Sequence, residues 1–106
     1  MNVITNDTIK STIALAALKN VTDPEIGLNV VDLGLIYQID FDEAEKKIYV
    51  TMTLTTQFCP MGESITDAVK RALENTFSEE ILVQLIFDPP WNFERISEEG
   101  KIFLNK

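Results

Sequence analysis

The sequence predicts an α+β fold in two layers, with helices packed on one face of a small, mostly antiparallel sheet in the order α-β-β-α-β and a short C-terminal element after them. Apolar residues recur at helical spacing in two stretches, one near the N-terminus and one past the middle of the chain. Between those stretches they alternate with a period of two on either side of a polar turn. With 106 residues, about a quarter of them charged and 45% hydrophobic, residues 1–106 form one domain and leave no room for a second.

The first helix is expected from about Thr8 to Asn20, capped by Asn6 or Asp7, with Ile9, Ile13, Ala16, Ala17 and Asn20 on its apolar stripe. Asp23-Pro24 ends that helix, because proline disfavours a helical residue before it, and Gly27 and Gly34 bracket an irregular loop over 21–34. From Leu35 to Phe41 the alternation is that of a largely buried strand. Residues 42–46 turn the chain, and from Lys47 to Thr55 it returns with Ile48, Val50, Met52 and Leu54 on one face. Pro60 suits a helix N-terminus, and Ile65, Ala68, Val69, Ala72 and Leu73 continue its apolar stripe. Ile81 to Asp88 reads as a strand halted by Pro89-Pro90. Ser97-Glu98-Glu99 then caps a short helix or leads into an extended tail.

The formal charge of -8, with nine scattered Lys and Arg, disfavours nucleic acid and anionic lipid, both of which call for clustered cations. No apolar run approaches the roughly 20 residues of a membrane span. The first residues show neither a basic region nor a long apolar one, and a single Cys allows no intrachain disulfide, so the expected setting is the cytoplasm. The sequence contains no His, which removes Cys-His and Ser-His catalytic pairs and every imidazole ligand.

Three segments carry the remaining candidates. In Thr55-Thr56-Gln57-Phe58-Cys59-Pro60 the lone thiol sits between a strand and a helix; a sulfur at a helix N-terminus faces free N–H groups and the positive end of the dipole, which favour thiolate. The competing reading is a buried small hydrophobe. Asp23 and Glu25 flank Pro24 and offer separate ligands or acceptors, against the simpler reading of a helix stop and solvated turn. Trp91 and Phe93 follow Asp88-Pro89-Pro90 and form either a lid on the sheet or the rigid aromatic anchors of a partner surface.

These segments, in this order, resemble the iron–sulfur cluster assembly domain family of SufT-type and PaaD-type proteins. The matching text is Asp23-Pro24-Glu25-Ile26 with 29–37, Met52-Thr53-Leu54-Thr55 with Cys59-Pro60-Met61-Gly62, and Asp88-Pro89-Pro90-Trp91 with Arg95-Ile96-Ser97-Glu98. The resemblance implies an accessory factor in iron–sulfur protein maturation, not an enzyme, with the cysteine matching Cys59 most tied to function and the Asp23–Glu25 loop near it. It implies no tightly bound cofactor, but iron or a cluster held transiently, and as partners the assembly machinery or client apo-proteins. One thiolate cannot complete a four-cysteine site, so further ligands would come from a homodimer, a partner, a small thiol or the carboxylates. The alternatives are a PaaD-like factor for one oxygenase pathway, an interaction module in which Cys59 is incidental, and a thiol enzyme, which lacks an imidazole base and a resolving cysteine.

Overall fold

A computed structural model describes residues 3–24, 26–55 and 62–105. Strands β1 (Ile4–Thr5), β2 (Ile36–Asp42), β3 (Lys47–Met52) and β4 (Glu80–Leu85) form one sheet in that spatial order. Helices α1 (Thr8–Leu18) and α2 (Gly62–Glu74) touch each other, and a short α3 (Glu98–Leu104) closes the chain. The α+β class stands.

The sheet is mixed, which corrects the mostly antiparallel expectation: only β2 and β3 run antiparallel, and β1–β2 and β3–β4 are parallel pairs. The connections are the reason. A polar turn reverses the chain between β2 and β3, whereas α1 and α2 carry it back to the starting end of the sheet and impose parallel entry. The order is β-α-β-β-α-β because β1, too short for any periodicity to show, precedes α1. Its ladder is continued by a side chain: the Asn6 amide donates to the Phe41 carbonyl at 2.9 Å and accepts the Phe41 N–H at 2.9 Å. Capping of α1 therefore falls to Asp7, whose carboxylate accepts the Lys10 N–H at 3.0 Å.

The core lies between the helices and one sheet face. Ile39, Phe41, Ile48, Val50, Met52 and Ile81 meet Ala14 and Leu18 of α1 and Ile65, Val69 and Leu73 of α2. The α2 stripe is the one its spacing predicts. For α1 the prediction fails: the buried residues are Ser11, Ala14 and Leu18, while Ile9 and Ile13 are 77% and 48% exposed. This helix is apolar on two faces, so periodicity could not choose between them, and the face with smaller side chains is the one turned inward. The irregular segment 21–34 is itself core, burying Val21, Leu28, Val30, Val31 and Leu33.

Candidate functional site

At one end of the sheet Ile36 of β2, Met52 of β3 and Leu85 of β4 stand side by side, and there residues 32–37, the chain just past β3 and the segment after Asp88 come together. Pairing between β2 and β3 shifts between Ile36 and Gln38, making Tyr37 the extra residue of a β-bulge. The bulge directs Tyr37 to the segment after β4, where its hydroxyl donates to the Pro89 carbonyl at 2.9 Å. Arg95 lies against the same ring, its guanidinium 4.1 Å from the centroid, and its Nε donates to the Gly34 carbonyl at 2.9 Å. The Trp91 indole N–H reaches the Leu33 carbonyl at 2.6 Å.

Asp32 completes this clamp. Its carboxylate accepts from Asn29 Nδ2 at 2.7 Å and from Ser97 Oγ at 2.9 Å, and its carbonyl accepts the Ser97 N–H at 2.8 Å. The Ser97 oxygen in turn accepts the Gly100 N–H and caps α3, so the tail is helical and its cap is fixed by the loop over 29–34. Gly34 has φ +77, and a Cβ there would run into the carbonyl of Arg95 and lie 2.7 Å from its Cβ, so both conformation and close approach demand glycine.

Asp23 is 1% exposed and opens a tight turn in which its carbonyl accepts the Gly27 N–H at 2.7 Å. Thr55 is half-buried at a bend just past β3, after Thr53 has extended the ladder by donating its N–H to the Leu35 carbonyl at 2.9 Å. Trp91 is half-buried against the core with its N–H engaged, while Phe93 is 71% exposed, its ring 5.4 Å from that of Trp91. Cys59, Glu25 and Thr56 lie outside the described residues, as does the expectation that Pro60 opens the helix. Among the described residues no group of three or more acidic or cysteine side chains converges as a metal site.

The structure thus joins residues 32–37 directly to the segment after Asp88 and sets Thr53 beside them. The Ser97 cap is the one expected from Ser97-Glu98-Glu99, and Asp32 is a further acid of the same loop as Asp23 and Glu25; Tyr37 and Arg95 had no expected role beyond their place in the matching text. The Arg95-Ile96-Ser97 run was the visible signal, since an arginine and a capping serine beside an aromatic segment have bonding capacity that a plain tail would not need.

Residues 12–83 match the family model described as iron–sulfur cluster assembly protein. The chain is 40% identical over 85% of its length to the Fe-S protein maturation auxiliary factor YitW of Bacillus subtilis, covering 88% of that protein. It is 41% identical over 79% of its length to the Fe-S protein maturation auxiliary factor SufT of Staphylococcus aureus, covering 96% of it. The crystal structure of a domain of unknown function, DUF59, from Bacillus anthracis superimposes with a TM-score of 0.83 at 38% identity, over 89% of this chain and 90% of that one. The agreement of sequence and fold over most of the chain establishes that it belongs to the iron–sulfur cluster assembly protein family.

Proposed function

We propose that this protein is an accessory factor in the maturation of iron–sulfur proteins, without turnover chemistry of its own, in which Cys59 transiently holds iron or a cluster edge or docks a client. The observation that carries the reading is the 40% identity, across 85% of the chain, to a protein named as a maturation auxiliary factor. The residue chemistry supports it: with one Cys and no His, a soft metal finds a single thiolate in this chain, and a ligand set shared with a second molecule favours release over storage. The two relatives named above are both called Fe-S protein maturation auxiliary factors, which favours general maturation over a PaaD-like role.

The site is assigned by sequence to the residues between Thr55 and Gly62; the chain leading to it is held at Thr53, whose N–H bonds the Leu35 carbonyl next to the clamp around Asp32, Tyr37 and Arg95. Glu25 and Asp23 are the carboxylates that the family resemblance sets near Cys59, and the burial of Asp23 suits a residue that shapes the loop more than an open ligand. Of the two aromatic candidates, Phe93 has the free ring for contact with assembly machinery or a client apo-protein. The proposed setting is the cytoplasm; among the described residues no helix is long and apolar enough to cross a membrane.

Anaerobic reconstitution with iron and sulfide, read by absorption and native mass spectrometry, tests the carrier role. Wild type is expected to take up iron or a cluster and Cys59→Ser to lose it; absence of uptake by wild type overturns the carrier role. Client docking is tested separately: cells relying on a folded Cys59→Ser protein are expected to lose iron–sulfur enzyme activity, and unchanged activity overturns any functional role for Cys59.

A further inference from the structure

Among the described residues β4 ends the sheet and leaves one edge of its backbone open. The Glu80 N–H donates to the Lys46 carbonyl and the Ile86 N–H to the Met52 carbonyl, at 3.0 and 2.9 Å. In a parallel ladder alternate residues bond to the same neighbour, so Leu82 and Gln84 also face β3, and the N–H and C=O groups of Ile81, Val83 and Leu85 point outward. Among the described residues no backbone or side-chain hydrogen bond reaches those outward groups.

Edge strands of monomers are usually guarded by a charge, a proline or a bulge. Between Glu80 and Asp88 the sequence is Ile81-Leu82-Val83-Gln84-Leu85-Ile86-Phe87, without a charge or proline, and β4 pairs with β3 without a register shift. The opposite edge is different. β1 spans two residues, and the Asn6 amide then occupies the Phe41 N–H and C=O.

We infer that the β4 edge pairs with β4 of a second copy, antiparallel about a two-fold axis at Val83. That register uses every outward group from Ile81 to Leu85: Val83 meets Val83 of the second copy, and Ile81 meets Leu85 of the second copy. Centring on Leu82 instead leaves the outward groups of Leu85 without partners. On the helix-covered face the Val83 register sets only apolar residues together and covers Leu85, which is 38% exposed in the single chain. On the other face Leu82 meets Gln84, and no like charges are opposed within the paired residues. A two-fold contact of this kind closes on itself, giving a dimer with one continuous sheet and not a fibre. The inference rests on the strand edge alone and is independent of any role for Cys59.

Sedimentation equilibrium of the full chain over a wide concentration range, with amide hydrogen exchange by NMR at the same concentrations, tests it. The average mass is expected to rise toward that of a dimer. Exchange at Ile81, Val83 and Leu85 is expected to slow as it does so, while Leu82 and Gln84, bonded to β3 in either state, stay unchanged. Leu85→Lys should raise the dissociation constant about tenfold, since it disrupts two symmetry-related pairs. Val83→Pro, which removes an N–H that β3 does not use, should abolish the dimer, with circular dichroism checking the fold; if that variant does not fold, Leu85→Lys decides. Ile4→Lys on the opposite edge should change nothing. A wild type that stays monomeric, a dimer with unaltered exchange at Ile81, Val83 and Leu85, or weakening by Ile4→Lys would each overturn the assignment.

Discussion

The guanidinium of Arg95 stacks 4.1 Å from the centre of the Tyr37 ring while its Nε holds the carbonyl of Gly34, so one side chain ties the tail to the bulge of β2 and to the loop before it. Arg95→Met should keep much of the packing but lose the charge-assisted bond and the stacking. We expect a stability loss of about 1–3 kcal/mol in urea unfolding. Arg95→Lys should recover little of it, because an ammonium lacks the planar face.

Gly34→Ala should be more damaging. A methyl group at φ +77 is strained, and here it also meets the Arg95 backbone, which cannot move without dislodging the clamp. The expected cost is about 2–4 kcal/mol by thermal or urea unfolding. Gly27→Ala shares the positive φ but has open space around it, so its loss should be about 1 kcal/mol.

Asp32→Ala should unfasten the tail before it unfolds the domain. It leaves the Asn29 amide and the Ser97 hydroxyl without their acceptor, and the α3 cap loses its support. Faster amide exchange at Gly100 and Lys101 should accompany a stability loss of about 1–3 kcal/mol. Ser97→Ala should reproduce the exchange effect at about 1 kcal/mol.

Substitutions on α1 test which face is buried. Ile9→Lys should change stability by less than about 0.5 kcal/mol, whereas Leu18→Ala should cost about 2–5 kcal/mol, both measured by urea unfolding. Equal losses would mean that the stripe through Ile9 and Ile13 is the packed one.

Glu43 lies 3.0 Å from the Lys10 ammonium and, chiefly through this hydrogen bond, raises the lysine pKa above its ordinary value. The pair therefore contributes at neutral pH, and its contribution is lost as pH rises through the raised lysine value. NMR titration of the Lys10 side chain should show that elevation, and Glu43→Gln should lower it toward the ordinary value.

Much of the fold was legible in the sequence because local chemistry and global packing agree there. The period-two runs around the 42–46 turn are the β2–β3 hairpin, and the spacing of Ile65, Val69 and Leu73 is the buried face of α2. At the candidate site, the lone cysteine in a chain without histidine, the acidic pair flanking Pro24 and the aromatic segment after Pro90 stood out by residue type alone.

Tertiary structure decided what local pattern leaves degenerate. Helix α1 has apolar residues on two faces, and only packing against the sheet and α2 selects Ala14 and Leu18 over Ile9 and Ile13. Strand direction follows from where the crossover helices return the chain, and β1 exists as a strand only because β2 offers it a ladder. The bonds from Tyr37 to Pro89 and from Asp32 to Ser97 span 52 and 65 residues, separations over which periodicity carries no information. Sequence determined the elements and the reactive residue types; long-range backbone and side-chain pairing, which acts through distance in space, decided how they are held together.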